Sequence, residues 1–332
     1  MTYLDKEKLK RLTHTFDLNY RLTQLYATYL ERFPDFITEE MVNAICSDGY
    51  ISKKEAIVAL ICAAFSLDDA NRKDDRRLIR EYITPSVRIL DATKYKENQY
   101  YKNIKISDIK DGAWEFKNES YPPYRAIICD DMIRNEDFSE IPPLGFFEET
   151  FFFPAVLENG NEWMTLTPVD LDTCEEAISK ACGKVVTFGL GLGYYTYMVS
   201  EKTEVESITV VEKSRDIINL FEKHILPQFP NSTKVRIVCD DAFEYAEHIM
   251  PSENFDLAFV DTWRDASDGT PMYEKMKKLE KFSPNTEFLY WIEGFLKSRL
   301  CALKFEELYS AVENDLPGAP ETYDDFLNQL KT

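Results

Sequence analysis

The chain reads Val185-Val-Thr-Phe-Gly189-Leu-Gly191-Leu-Gly193-Tyr-Tyr195 from residue 185 onward, an apolar run that leads directly into a glycine-rich turn. The apolar run predicts a buried strand, and the glycines permit a tight turn and let a ligand approach the backbone closely. The spacing differs from the dinucleotide fingerprint G-x-G-x-x-G, because the third glycine stands at the fifth position and Tyr194 at the sixth. The turn therefore favours a ligand-binding loop over a purely structural bend.

Strands and helices alternate in the C-terminal half of the chain. Apolar strand candidates lie at 184–189, 207–212, 234–239, 255–261 and 286–292, and helical stretches lie between them at 216–224, 242–250 and 272–281. Such an alternation forms right-handed βαβ units. It predicts an α/β fold with a parallel sheet.

Acidic residues stand at the ends of the next three strand candidates. Glu212 ends the second, where a carboxylate can accept both hydroxyls of a ribose, and Asp241 with the amide of Ala242 follows the third, against the edge of an adenine. Asp261 ends the fourth, at the carboxyl end of the sheet where open α/β sheets bind ligands. The structural alternatives are that Glu212 and Asp241 are helix N-caps and that Asp261 is a solvated loop acid.

This ordered set resembles the class I S-adenosylmethionine-dependent methyltransferases over about residues 165–295. The apolar strand before the glycine loop, the run from Asp241 to Tyr245 and the preceding β-rich segment are most similar to the spermidine-synthase-like branch. The resemblance implies a Rossmann-like domain with sheet order 3-2-1-4-5 and S-adenosylmethionine as cofactor. It also implies roles for individual residues: Gly189, Gly191 and Gly193 line the methionine and ribose, Glu212 holds the ribose hydroxyls, Asp241 recognises the adenine amine, and Asp261 faces the sulfonium or the nucleophile.

Two segments depart from the aminopropyltransferases of that branch. Those enzymes carry Tyr-His-Glu before the glycine loop and Asp-Ser-Ser-Asp-Pro after the fourth strand, whereas this chain has neither the histidine at 161–168 nor the proline at 261–269. Methyl transfer to a small, cationic acceptor such as an amine is therefore the favoured function. Aminopropyl transfer from decarboxylated S-adenosylmethionine is the alternative, and a non-catalytic nucleotide-binding protein is a third.

The segment after the fourth strand supplies candidate substrate contacts. Trp263 offers a ring face to a cation, and Asp265 and Asp268 attract an amine or help to remove its proton. Two other interpretations stay open, a set of oxygen ligands for a metal and a solvated acidic loop that caps the next helix. No metal is expected, because the acids match no recognised calcium or magnesium spacing. Tyr194, directly after the glycine loop, is a further candidate contact.

The first 99 residues have a helical pattern. Apolar positions recur three or four residues apart, as at Leu9 and Leu12, and Ser52 with Glu55 forms a capping-box pattern. The apolar helical faces of residues 1–82 need a covering partner, which is either the chain's own sheet domain or a second copy in a homodimer.

Residues 100–166 are rich in short aromatic and β-branched runs. Hairpin strands are predicted at 100–106, 114–117, 125–129, 151–157 and 162–166, and Asn159-Gly160 is a tight-turn signal. Trp163 and Thr165 stand where they can close the site from its N-terminal side. The Rossmann-like domain is then expected over 167–332, beginning with the helix start at Thr167 and Pro168.

Composition narrows the class of partner. The 332 residues carry 39 Lys and Arg against 59 Asp and Glu, a net charge of −20 that opposes a nucleic acid backbone. The longest apolar run, near 56–65, is about half of what a bilayer requires, so no membrane association is expected. Seven cysteines without a CxxC pair indicate neither a disulfide framework nor a zinc ribbon. They predict a reducing, cytoplasmic location. A small-molecule acceptor is the expected partner.

Overall fold

The computed structural model describes residues 5–106 and 109–331. The chain forms two compact units, each discontinuous in sequence. We call Met1–Leu90, Pro123–Glu148 and Gly294–Thr332 the helical unit, and Asp91–Pro122 with Glu149–Glu293 the sheet unit. Each is described by itself.

Helices occupy both units. Their bounds are α1 Lys6–Arg32, α2 Glu39–Cys46, α3 Lys53–Ala64, α4 Lys73–Arg77, α5 Thr84–Ser86, α6 Ala92–Lys96, α7 Gln99–Asn103, α8 Pro168–Lys180, α9 Tyr194–Ser200, α10 Arg215–His224, α11 Ala242–His248, α12 Met250–Glu253, α13 Ala266–Leu279, α14 Glu293–Glu313 and α15 Tyr323–Lys331. A π-helical segment, Leu78–Ile83, joins α4 to α5, and 3₁₀ turns lie at Leu226–Gln228, Ser232–Lys234 and Glu280–Phe282.

The strands form several separate sheets. Their bounds are β1 Val87–Leu90, β2 Ile109–Asp111, β3 Trp114–Tyr121, β4 Ile127–Ile128, β5 Ile133–Arg134, β6 Glu140–Ile141, β7 Leu144–Phe147, β8 Phe151–Glu158, β9 Asn161–Thr165, β10 Gly183–Phe188, β11 Val205–Glu212, β12 Val235–Cys239, β13 Leu257–Val260 and β14 Glu287–Tyr290. The helical unit holds β1-β7-β4 and β5-β6, and the sheet unit holds an antiparallel sheet in the order β2-β3-β8-β9.

A parallel sheet dominates the sheet unit. Within the described residues it has five strands in the order β12-β11-β10-β13-β14, which is 3-2-1-4-5 when β10 is counted as the first. Helices α8 to α13 connect or flank these strands. The centre of the sheet is buried, and all four residues of β13 are both buried and apolar, as expected for a parallel sheet covered on both faces. The predicted α/β architecture is confirmed.

The helical unit covers its own apolar faces. Leu9, Leu12 and Phe16 of α1 lie in one buried cluster with residues of α14 and α15. The rings of Phe16 and Phe305 are stacked with their centroids 3.9 Å apart. The apolar face of the N-terminal helix, whose covering partner the sequence did not identify, is therefore buried against the C-terminal helices of the same chain.

Local signals decide several elements. The capping box at Ser52 is present, and the turn between β8 and β9 places Asn159 and Gly160 at φ of 51° and 80°, the conformation of a tight hairpin turn. The prediction of a strand at 100–106 is wrong, because Gln99–Asn103 is helical. Asn98 caps this helix by accepting from the Tyr100 amide, and the Tyr100 ring is fully buried, so tertiary packing overrides its strand propensity.

The compact units differ from the three consecutive segments expected from composition, 1–99, 100–166 and 167–332. Residues 123–148 belong with the N-terminal helices, and so does the helical tail from 294. Composition changes along the chain, whereas packing groups residues that are distant in sequence.

Candidate functional site

The candidate site lies where the parallel strands end. Phe188 of β10 is paired with Val211 of β11 and with Val260 of β13. The next residues along these three strands are Gly189, Glu212 and Asp261. The amide of Gly189 donates to the Val211 carbonyl at 2.9 Å, and the amide of Asp261 donates to the Phe188 carbonyl at 2.8 Å. The register thus brings the predicted glycine and two predicted acids side by side.

The glycine loop has little room for side chains. Gly189 has a φ of 95°, and a β-carbon there would lie 1.8 Å from the carbonyl oxygen of Asp261. Gly191 has a φ of 52°, and its β-carbon would lie 2.6 Å from Sδ of Met164. Gly193, also left-handed, is the N-cap of α9. Close packing alone therefore requires glycine at 189, whatever ligand the loop binds.

Glu212 faces the glycine loop. Its Oε2 accepts from the Leu190 amide at 3.3 Å, and its Oε1 accepts from the Ser214 amide at 2.7 Å. The N-cap of α10 is Ser214, not Glu212, so the capping alternative does not describe Glu212. A half-buried carboxylate at a strand end beside a glycine loop is suited to accept sugar hydroxyls.

Asp241 is the N-cap of α11. Its Oδ1 accepts from the amides of Phe243 and Glu244 at 2.9 and 3.3 Å, and the side chain is exposed. Ala242, the first residue of that helix, is buried. The capping interpretation of Asp241 is therefore correct, and its contact with an adenine, like that of Ala242, stays a prediction.

A small cavity lies between the glycine loop and α8. Its volume is about 30 Å³ on the scale where a single water needs roughly 10–15 Å³. It is lined by Met164, Leu166, Asp170, Cys174, Thr187, Gly189, Leu190, Leu192, Gly193, Tyr194, Tyr195, Thr196, Phe259, Asp261 and Trp291. The cavity thus combines apolar walls with two carboxyl groups.

The two carboxyl groups influence each other. Burial raises the pKa of Asp261 to about 8, and the negative charge of Asp170 adds to this shift. Burial also raises the pKa of Asp170, to about 6, although hydrogen bonds from Thr167 oppose the rise. Asp261 is therefore mostly protonated at neutral pH unless a cation lies beside it. A carboxyl with a pKa near the working pH is suited to proton transfer.

This pair makes the stability of the protein pH-dependent. The folded protein keeps a proton on Asp261 between its unfolded pKa of 3.8 and its folded pKa of about 8, so stability falls as pH rises through this window. We expect the melting temperature of the wild type to fall from pH 5 to pH 9 relative to that of Asp261→Asn. Relative to Asp261→Asn, the unfolding free energy of the wild type should fall by on the order of 2 kcal/mol between pH 5 and pH 9, after allowance for partial solvent access. Calorimetric melting curves of both proteins across this range measure it, and parallel curves would contradict the buried-acid assignment.

The segment that follows Asp261 caps a helix. Asp265 is the N-cap of α13 and accepts from the Ser267 amide at 2.6 Å, and Asp268 closes the capping box by accepting from the Asp265 amide at 3.0 Å. This hydrogen bonding lowers the pKa of Asp265. Trp263 is buried, with its ring stacked at 6.4 Å from that of Tyr290. These side chains do not line the cavity, and their contact with a substrate stays a prediction.

The strand β9 contributes a different residue from those expected. Side chains alternate across a strand, and the one directed to the cavity is that of Met164, while Trp163 packs edge-on against Trp114 at 5.6 Å. Tyr194 lines the cavity, and its Oη accepts from Nδ2 of Asn98 at 3.1 Å, while its contact with a substrate stays a prediction.

The sequence did not single out Asp170 as a site residue. Asp170 is the third residue of α8 and forms a capping box with Thr167, so a structural role accounts for an acid at this position. Its second position, on the wall of the cavity, depends on how α8 packs against the sheet. The only available signal was an acid in the first turn of the helix that precedes the first strand of the parallel sheet.

Among residues 5–106 and 109–331, no group of three or more His, Cys, Asp or Glu side chains is arranged to hold a metal ion. In the same part of the chain, no helix combines the length and apolar character needed to cross a bilayer.

The fold and the position of the site define a Rossmann-like α/β protein with a candidate ligand site at the carboxyl end of its parallel sheet. No family model and no curated protein sequence matches the chain. Among solved structures, the chain is similar to a spermidine synthase from Thermotoga maritima, with 16% sequence identity and a TM-score of 0.31. The match covers 45% of this chain and 55% of that chain, so it spans about half the length of the synthase.

Proposed function

We propose that this chain is an S-adenosylmethionine-dependent transferase that methylates a small amine or other cationic acceptor. One observation carries the proposal: the strand register that aligns Gly189, Glu212 and Asp261 at the carboxyl end of the parallel sheet. Ligands of open α/β sheets bind outside these strand ends. The three residues are a glycine without a side chain, an acid proposed to bind the sugar and a half-buried acid, which are the groups that such a reaction needs.

The residues at this end of the sheet suit the parts of the cofactor. Glu212 stands beside the loop where ribose hydroxyls would need acceptors, and Asp241 with the amide of Ala242 stands at the end of the next strand for the adenine. The glycines expose backbone without β-carbons. A cavity of about 30 Å³ has no room for a nucleoside, so the nucleoside belongs outside it and only a small group reaches Asp261.

Asp261 is the group proposed to take the proton of the acceptor. When bound, S-adenosylmethionine supplies a methyl group that leaves its sulfur for the acceptor nitrogen. A cationic acceptor beside Asp261 favours the ionised carboxylate, which then receives the nitrogen's proton; with a pKa of about 8 in the empty site, Asp261 changes its protonation state near neutral pH. The apolar walls of the cavity, including Met164 and Phe259, exclude water from the proton transfer.

Aminopropyl transfer is the second candidate. The observation that favours it is the pair of acids in the cavity, without a basic side chain among the described lining residues, since such a cavity suits an ammonium group. Separate calorimetric titrations of S-adenosylhomocysteine, decarboxylated S-adenosylmethionine and NAD show which ligand binds, and turnover assays with each cofactor decide between the candidates. We expect S-adenosylhomocysteine to bind. Turnover with only the decarboxylated cofactor would favour aminopropyl transfer, and a response to NAD alone would favour a dehydrogenase.

Replacing Glu212 by alanine is expected to weaken S-adenosylhomocysteine binding at least about tenfold. The variant loses the acceptor for the ribose hydroxyls, and hydrogen bonds to a charged group contribute about 1.5–3 kcal/mol each. Isothermal titration calorimetry measures the change.

Two further variants separate binding from loop structure. Glu206→Ala removes an exposed acid from the same strand and should bind as the wild type does. Glu212→Gln keeps an oxygen for the Leu190 amide, so it should keep the loop in place while it binds the ribose less tightly. Equal affinity of Glu212→Ala and the wild type would remove Glu212 from the cofactor site.

A further inference from the structure

Tyr195, which lines the cavity behind the glycine loop, has a buried hydroxyl without a partner in the described part of the chain. Tyr195 is 7% exposed, and its ring stacks on Phe259 with the centroids 4.3 Å apart. Its Oη is buried and makes no hydrogen bond in the part of the chain that the structure describes. A hydroxyl buried in this way costs free energy, about 1–3 kcal/mol, unless a ligand or water satisfies it.

Acidic groups face the same cavity from two other elements. Asp261 follows β13, and no described group donates a hydrogen bond to its carboxyl; Asp170, in the first turn of α8, uses its Oδ2 to accept from the amide and hydroxyl of Thr167 at 2.7 and 2.9 Å. The other titratable groups near the pair include Cys174 on α8, Tyr194 on α9, Glu162 on β9 and Tyr101 on α7. Described lining residues include no lysine, arginine or histidine. The cavity thus offers two carboxyl groups and several hydroxyls, and no fixed positive charge among its described lining residues.

The volume restricts what fits. About 30 Å³ holds a group the size of one or two waters. An ammonium group is of that size, whereas a trimethylammonium group is several times larger and has no N–H to donate. The apolar residues Met164 and Leu192 on the cavity wall suit the methylene next to an ammonium nitrogen.

We propose that Asp170 and Tyr195 are specificity-determining residues that complete, around Asp261, a subsite for one primary ammonium group. The three N–H donors of the ammonium match the two carboxylates and the Tyr195 Oη. Asp170 acts partly through Asp261, because its charge favours the protonated form of Asp261 until a cation enters. The subsite extends the proposed function by naming the reacting group of the acceptor, and it rests on that function for the reaction but not for the binding.

Binding of simple amines without cofactor tests the subsite. We expect n-propylammonium and 1,4-diaminobutane to bind the full-length protein at pH 8, measured by titration calorimetry and thermal shift, while tetramethylammonium and n-propanol do not. At pH 7, with the pKa of Asp261 at about 8, binding should release about 0.9 proton, which titrations in buffers of different ionisation enthalpy measure.

Two variants assign the roles of the new residues. Tyr195→Phe keeps the ring stack and removes only the unpartnered Oη, so it should fold normally and bind n-propylammonium at least about fivefold more weakly. Asp170→Asn keeps an oxygen for the Thr167 cap, and should weaken binding at least about tenfold and move the pH midpoint of binding downward, since the charge that raises the pKa of Asp261 is gone. Tyr82→Phe removes another buried, unpartnered phenol, in the helical unit, and is the matched control that should bind unchanged.

The outcomes separate the subsite from the proposed function. If S-adenosylhomocysteine binds and n-propylammonium does not, the subsite is refuted and the cofactor proposal stands. If the amine binds and S-adenosylhomocysteine does not, the cofactor proposal is refuted and the subsite stands. Unchanged amine affinity in both Tyr195→Phe and Asp170→Asn, or equal binding of tetramethylammonium, would also overturn the assignment.

Discussion

The Gly189→Ala variant should lose about 4 kcal/mol of unfolding free energy. The backbone at 189 has a φ of 95°, which costs a residue with a side chain on the order of 1–3 kcal/mol. Its new β-carbon would also lie 1.8 Å from the Asp261 carbonyl oxygen, a backbone atom that cannot rotate away. The ends of β10 and β13 must then separate, which breaks the hydrogen bond from the Asp261 amide to Phe188. Urea denaturation followed by circular dichroism measures the loss.

Gly160→Ala is the matched control for this variant. Gly160 has a φ of 80°, but a β-carbon there meets no atom within 4 Å, so the variant carries the backbone cost alone. We expect it to lose about 1 kcal/mol. Equal losses in the two variants would show that contact with Asp261 does not decide the residue at 189.

The Asp261→Asn variant is expected to lose catalysis and keep cofactor affinity. Removal of the base should reduce turnover at least about a thousandfold, within the range that general base catalysis contributes. S-adenosylhomocysteine affinity should stay within about threefold, roughly 0.65 kcal/mol, because the proposed nucleoside contacts, Glu212 and Asp241, are not lining residues of the cavity. The assay is mass-spectrometric detection of methylated product in amine, phenol and thiol panels, alongside calorimetry of the same protein.

Asp216→Asn is the charge-matched control, since Asp216 is an exposed acid on α10 outside the cavity. It should keep both turnover and affinity. Retained turnover in Asp261→Asn would remove Asp261 from the catalytic role. Absence of product from the wild type across the panels, with S-adenosylhomocysteine bound, would favour a non-catalytic nucleotide-binding protein.

Much of the sheet unit follows from local sequence. The alternation of apolar strands with helices predicted the parallel sheet, because crossover connections between parallel strands have one hand. The glycine loop and the Asn159-Gly160 turn of this unit, like the Ser52 capping box of the helical unit, are short-range features, and each depends on residues within a few positions of one another. The acids that end successive strands were identifiable for the same reason, since parallel strands end on the same side of a sheet.

Other features depend on contacts between residues far apart in the chain. The pairing of Phe16 with Phe305, the helix at Gln99–Asn103 and the choice of Met164 over Trp163 have no local signal that distinguishes them. Asp170 shows the difference most clearly. Its sequence neighbours determine that it caps α8, but only the packing of α8 against the sheet brings it to the same cavity as Asp261. There burial raises the pKa of both carboxyl groups, and the charge of Asp170 adds to the shift of Asp261.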